Sequence, residues 1–128
     1  MGLRVLLAED EPHIVETLVF LLERAGFEVA AETDGQAALA TALADPPAVL
    51  ILDVMLPVLD GFEVLRRLRA DGRGRTVPVI MLTARGQRAD RAEALGTGAD
   101  LFITKPFSNA EVIAAVRRLA GVAADPDA

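Results

Sequence analysis

Ala48-Val49-Leu50-Ile51-Leu52-Asp53 is an unbroken apolar run that ends on a carboxylate. Apolar side chains on both faces of so short a segment belong to a strand buried on both sides, the position of an interior strand in a parallel sheet. The same pattern stands at residues 3–8, followed by Glu9 and Asp10, and at residues 78–82, followed by Thr83. A fourth run at residues 100–104 leads into Lys105-Pro106. Residues 28–32 alternate in polarity and carry few large side chains, which predicts a strand at the edge of the sheet.

Helical patterns fill the intervals. The first helix begins at Pro12, a good first-turn residue, and stops at Gly26, a natural residue just past a helix end. Ile14, Leu18, Leu21 and Leu22 share one of its faces, with Val15 and Val19 beside them. The second, over residues 35–44, is Ala-rich and is stopped by Asp45-Pro46-Pro47. The third follows Asp60-Gly61, with Phe62, Leu65 and Leu68 inward and Arg66, Arg67 and Arg69 outward. A helix over residues 87–95 has Leu95 as its one large apolar residue, which makes it the most weakly anchored. The last opens with the capping-box spacing Ser108 to Glu111 and carries Val112, Val116 and Leu119 on one stripe. Strands alternating with helices predict an α/β fold, a doubly wound five-stranded parallel sheet. The loop 71–76 is expected to be flexible, and the domain to span residues 1–120 with a disordered tail at 121–128.

Composition narrows the function. The 128 residues suit one domain, and with 52% hydrophobic residues the core needs no staples. Lys+Arg 13 against Asp+Glu 19 gives a net charge of -6, which argues against direct nucleic-acid binding or an anionic membrane patch. The lack of Cys removes disulfides, thiolate metal sites and cysteine nucleophiles. No apolar run approaches the ~20 residues of a membrane span, and the acids at 9–11 interrupt the first apolar run before a secretory leader could form. The expectation is a cytoplasmic chain with no membrane partner.

In a doubly wound sheet, ligands bind beyond the carboxyl ends of the strands. Glu9, Asp10, Asp53, Thr83 and Lys105 all fall there. Carboxylates ~4 Å apart repel by about 4 kcal/mol at an effective dielectric near 20, so Glu9, Asp10 and Asp53 call for a cation. Oxygen ligands without His or Cys suit Mg²⁺. Lys105 and the Thr83 hydroxyl suit phosphate oxygens, so the chemistry converges on phosphoryl transfer to a carboxylate. The bland alternative is that Glu9, Asp10 and Glu11 merely cap the first helix, a task for which one acid is enough. His13, the sole His, reads as solvated or packing.

The segments Leu7-Ala8-Glu9-Asp10-Glu11, Leu52-Asp53-Val54-Met55-Leu56-Pro57, Asp60-Gly61, Met81-Leu82-Thr83-Ala84 and Thr104-Lys105-Pro106-Phe107 resemble the receiver domain of bacterial two-component response regulators. That resemblance implies a flavodoxin-like (βα)5 fold with strand order 2-1-3-4-5. It implies that Asp53 is the phospho-acceptor, taking a phosphoryl group from the phosphohistidine of a sensor histidine kinase or phosphotransfer protein. Asp10 would ligate Mg²⁺ directly, Glu9 through water, and Asp53 and the backbone carbonyl of Met55 would complete the protein's share. Lys105, joined to Pro106 by a cis bond, would pair with the acyl phosphate. Thr83 would close onto it, with Phe102 as the aromatic switch and Ala84 leaving room. The output would be an attached domain or a protein effector, reached through the surface of the fourth helix, fifth strand and fifth helix. On this reading the chain is not a conventional enzyme, since it catalyses its own phosphorylation and slow dephosphorylation.

The chain departs from the pattern in places. Glu9 replaces the commoner Asp and Phe102 a frequent Tyr, while Met55 and Arg85 occupy positions that tune dephosphorylation in the family. Gly98-Ala99-Asp100 and Lys105-Pro106-Phe107-Ser108 are similar to the winged-helix transcription-factor subclass, which dimerises through acid–base pairs. Leu101 and Ala115 stand where two of those charges belong. A phosphorylation-dependent dimer is therefore left as an expectation to be measured. Two other functions compete: a hydrolase with an aspartyl-phosphate intermediate, which would want an acid at Met55, and a phosphorylation-independent binding module of the same fold.

Overall fold

The computed structural model describes residues 2–83 and 98–122. Five parallel strands, β1 (Arg4–Ala8), β2 (Glu28–Glu32), β3 (Val49–Asp53), β4 (Val79–Thr83) and β5 (Leu101–Thr104), form one sheet in the order β2-β1-β3-β4-β5. Four helices are described: α1 (Pro12–Arg24), α2 (Gly35–Ala44), α3 (Gly61–Ala70) and α4 (Asn109–Ala120). The helix expected over residues 87–95, with Ala84 and Arg85, lies outside the described residues, as does the tail from residue 123.

The apolar runs explain the layering. β3 and β4 are buried at every position, and β1 everywhere except Arg4. Along each strand alternate side chains go to opposite faces. Leu6, Leu50, Leu52 and Met81 meet α2 and α3 through Ala38, Ala42, Val64, Leu65 and Leu68. Val5, Leu7, Ile51, Ile80 and Leu82 meet α1 and α4 through Leu18, Leu22, Val112 and Val116. Each large side chain so buried contributes roughly 1.5–3 kcal/mol. The alternating segment at residues 28–32 is the edge strand β2, as its polarity predicts.

Local signals set the helix ends. Asp34, Asp60 and Ser108 accept the backbone N–H of Ala37, Glu63 and Glu111, capping α2, α3 and α4. Pro12 opens α1, and Gly26 follows its end with φ 100°, a left-handed conformation that disfavours a side chain. Among the described residues no helix is long and apolar enough to cross a membrane.

One expectation needs correction. Arg69 does not project into solvent with Arg66 and Arg67. Its side chain is only 17% exposed, and its guanidinium turns under the sheet. Nε and Nη2 donate to the Gly98 carbonyl at 3.1 and 2.8 Å, Nη1 to the carbonyls of Gly74 at 2.9 Å and Val77 at 2.7 Å, and Nη2 also to Asp100 at 3.2 Å. All five N–H donors of the fork are used. Burial pulls this guanidinium below its ordinary pKa, while Asp100 pulls it back up. The 71–76 loop carries internal bonds of its own. Gly74 is buried, its N–H bonds the Asp71 carbonyl and its carbonyl receives Arg69, while Arg73 pairs with Asp71 at 2.9 Å.

Candidate functional site

The carboxyl ends of β1, β3, β4 and β5 form one rim. In register, Asp53 lies beside Leu82, and Thr83 beside Thr104. The Val54 N–H bonds the Leu82 carbonyl at 3.1 Å and the Lys105 N–H the Thr83 carbonyl at 2.7 Å, so backbone bonds hold three strand ends together. Asp53 and Thr83 are the last residues of β3 and β4 rather than the first residues beyond them. Both are buried.

Glu9, Asp10 and Asp53 each bring a carboxylate oxygen within 4.8 Å of the other two. Glu9 has no exposed surface, whereas Asp10 next along the chain is exposed. Lys105 answers this charge. Its Nζ lies 3.1 Å from Glu9 Oε2, 3.4 Å from Asp53 Oδ1 and 3.8 Å from Glu11 Oε1, with the side chain 20% exposed. The contact with Glu9 is an ion pair, and Oε2 is fully buried with no other partner. One cation does not offset the cluster: burial first, and then the Asp53 carboxylate, push Glu9 from 4.5 up to about 7 against the pull of Lys105. The same carboxylates hold Lys105 above its ordinary pKa despite its burial.

Glu9 Oε2 and Thr83 Oγ1 are the two buried side-chain atoms without a hydrogen-bond partner among the described residues, and both face this rim. Buried polar atoms short of hydrogen-bond partners are costly, and the Thr83 hydroxyl beside a buried carboxylate fits a ligand that supplies them. An oxygen donor set with a surplus of negative charge fits a hard divalent cation, and the cluster can hold a metal. A hydroxyl and an ammonium beside it fit an anion's oxygens.

The reading of the three acids as helix caps fails on geometry. Glu11 occupies the cap position of α1 but makes no side-chain cap bond, and its carboxylate lies toward Lys105 instead. Glu9 Oε1 accepts the Glu11 N–H at 3.2 Å, fixing the turn between strand and helix. His13 is exposed and lines a cavity of about 220 Å³ with Ile14, Thr17, Leu18, Phe107 and Asn109. Phe102 is half-buried in β5, against the face covered by α2 and α3. The Lys105–Pro106 bond is cis.

The loop after β3 folds back over the strand end. Met55 donates its N–H to Asp53 Oδ1 at 3.2 Å, while the residue as a whole is 67% exposed. A Cβ on Gly61 would collide with the Asp53 carbonyl, so Gly61 lets α3 begin directly against the end of β3. Between them the Leu59 N–H bonds the Pro57 carbonyl at 2.8 Å around Val58, a three-residue γ-turn with Val58 at φ 71°. A β-branched side chain is strained there. Val58→Gly is expected to raise stability by about 1 kcal/mol, strain relief exceeding the added chain entropy of glycine. Urea unfolding measures it, and a loss of stability would contradict the strain.

The residue missed in the sequence is Arg69, which braces the far end of the sheet. Helical spacing places it on the outer face, and nothing local signals that its long side chain folds back.

Comparison with known proteins follows this geometry. Residues 5–117 match the family model described as the response regulator receiver domain. The chain is 43% identical over 116 residues to the DNA-binding dual master transcriptional regulator RpaA of Synechocystis, covering 91% of this chain and 48% of RpaA. It is 42% identical over 118 residues to the phosphate regulon transcriptional regulatory protein PhoB of Escherichia coli, covering 91% of this chain and 51% of PhoB. The chain thus spans about half the length of these curated relatives. Among solved structures, it is similar to a putative response regulator from Chloroflexus aurantiacus, with TM-score 0.89, 30% identity and coverage of 94% of this chain and 99% of that one. It is also similar to the receiver domain of the sensor histidine kinase PA1611 from Pseudomonas aeruginosa, solved with a magnesium ion coordinated in its active-site cleft. There the TM-score is 0.83, the identity 35% and the coverage 94% and 99%.

Proposed function

The chain belongs to the response regulator receiver domain family, and from that premise we propose that it is a phosphorylatable signalling switch with Asp53 as its phospho-acceptor. The observation that carries the proposal is the rim itself. Glu9, Asp10 and Asp53 crowd their carboxylates together beside Lys105, with the orphan hydroxyl of Thr83 on the neighbouring strand end.

Glu9 through water, Asp10, Asp53 and the Met55 carbonyl would hold Mg²⁺, which when bound neutralises charge on these carboxylates and on the incoming phosphoryl oxygens. Asp53 attacks phosphorus with a carboxylate oxygen. The phosphorus–nitrogen bond of a phosphohistidine breaks, and the imidazole leaves with its electron pair and takes up a proton. Lys105 pairs with the phosphoryl oxygens and in doing so releases part of its hold on Glu9 and Asp53. Thr83 donates its hydroxyl to the same oxygens, gaining the partner it lacks. Its movement draws Phe102 inward, and the face of β5 and α4 changes its affinity for an output domain or protein effector. The donor is a sensor histidine kinase or phosphotransfer protein, the setting cytoplasmic, and the domain itself neither binds nucleic acid nor enters a membrane. A phosphorylation-dependent dimer belongs to the same proposal.

Incubation with Mg²⁺ and a small phosphodonor, followed by mass measurement, tests it. One added phosphate is expected on the wild type and none on Asp53→Asn or in excess chelator. An unlabelled wild type, or undiminished labelling of Asp53→Asn, would sink the reading. Sustained turnover of phosphate esters would favour a hydrolase in its place.

A further inference from the structure

The loop from β3 to α3 is held at three places. At its start the Met55 N–H bonds Asp53 Oδ1 at 3.2 Å, and at its foot the Gly61 N–H bonds the Val54 carbonyl at 2.9 Å. Its crest rests on α2. There the Gly35 N–H, which the first residue of a helix cannot use within that helix, bonds the Pro57 carbonyl at 3.1 Å. Gly35 is buried, and a Cβ on it would overlap the Leu59 carbonyl oxygen and lie 2.7 Å from the carbonyl carbon and 3.0 Å from Leu59 Cβ. Leu59 has no free room to retreat, because its side chain packs on the core layer that includes Ala38 and Leu56. Asp34 keeps the first turn of α2 in place by accepting the Ala37 N–H at 2.7 Å, and so aims the Gly35 N–H at the loop.

We infer that Gly35, far from Asp53 in sequence and on a different element, is a positioning residue for the rim: by letting α2 close onto the loop it sets where the Met55 peptide stands against Asp53, and through that peptide how well the carboxylate cluster holds Mg²⁺. The path is short and packed. Val54 and Leu56, on either side of Met55, are buried, so a push at Leu59 is passed back along tightly packed chain rather than absorbed by a slack one. The Met55 peptide presents its N–H to Asp53, and its carbonyl belongs to the metal set proposed above, so one displacement disturbs both. The effect on Mg²⁺ rests on that metal reading; the control of the Met55 peptide does not.

Two readouts on the folded protein test it: hydrogen exchange at the Met55 amide in a chelator, and Mg²⁺ affinity by calorimetry. Gly35→Ala is expected to speed exchange at Met55 and to weaken Mg²⁺ binding about tenfold or more. Gly72→Ala, whose Cβ would meet nothing within 4 Å, is expected to leave both unchanged. A role confined to stability would lower the denaturant midpoint and move neither readout. Where Gly35→Ala does not fold, a milder pair decides. Asp34→Ala, which loses the cap, is expected to exchange faster at Met55 and bind Mg²⁺ more weakly than Asp34→Asn, which loses the same charge but keeps a cap. Unchanged exchange and affinity in folded Gly35→Ala, or in its absence no difference within the Asp34 pair, would overturn the inference. Wild-type protein that binds no Mg²⁺ would overturn the metal reading, while exchange at Met55 still decides whether Gly35 sets that peptide.

Discussion

In a chelator, wild-type protein is expected to lose about 3 kcal/mol of stability relative to Glu9→Gln as the pH rises from about 4.5 to about 8. Burial and the Asp53 carboxylate lift Glu9 from 4.5 to about 7 in the folded protein. Below about pH 4.5 both folded and unfolded chains hold the Glu9 proton, and the group adds no penalty. Between the two values the unfolded chain has released its proton while the folded one keeps it. Each pH unit then lowers stability by about 1.4 kcal/mol, and above about pH 7 the whole penalty is present. Glutamine carries no such charge, so the difference between the two proteins reports Glu9 together with its coupling to Asp53 and Lys105. Saturating Mg²⁺ is expected to flatten the slope, because a bound divalent cation favours the ionised carboxylate. Urea unfolding across the range measures both effects. A difference between the proteins that does not vary with pH would contradict the electrostatics, and a slope indifferent to Mg²⁺ would contradict the metal site.

Arg69→Ala is expected to cost about 3 kcal/mol, and Arg69→Lys to lose about 2 kcal/mol of that. One guanidinium holds the carbonyls of Gly74, Val77 and Gly98 together with the Asp100 carboxylate, which itself accepts the Val79 N–H at 2.8 Å. Its removal leaves partly buried acceptors unpaired, and a lysine ammonium, with three donors around a point, cannot serve four acceptors spread across a plane. The brace joins α3, the loop into β4 and the first residue of the described stretch that leads into β5. Denaturant midpoints of the three proteins decide the matter. Arg69→Lys as stable as wild type would show that charge alone suffices.

Much of the fold is legible in a few segments. Residues 48–52 and 78–82 are apolar at every position because a strand covered on both faces has no side that can be polar, and they became β3 and β4 with only one-residue shifts. Residues 28–32 alternate because an edge strand keeps one side toward water, and they became β2 at the sheet's end. Pro12, Asp34, Asp60 and Ser108 mark helix starts by local chemistry. The rim is legible for the same reason. Glu9, Asp53, Thr83 and Lys105 each stand at the end of an apolar run, and parallel strands bring those ends together.

Other features depend on atoms distant in sequence. Helical spacing sends Arg69 outward with Arg66 and Arg67, yet its reach lets it find carbonyls up to 29 residues away, whose positions exist only once the sheet has closed. Val58 takes a left-handed turn that no valine prefers, because the loop must return from Asp53 to start α3 at Gly61. Glu11 occupies a cap position by spacing but serves Lys105, since that ammonium arrives from β5. Sequence alone determined the strands, the edge and which side chains reach the rim, because the polarity pattern and helix ends are set by residues near in the chain. The tertiary structure alone decided that Glu9 is sealed and Asp10 exposed, that one lysine faces three carboxylates, and that Arg69 braces the opposite end. Those outcomes are electrostatic and hydrogen-bonded contacts between distant segments, and their strength depends on a burial that no short stretch of sequence carries.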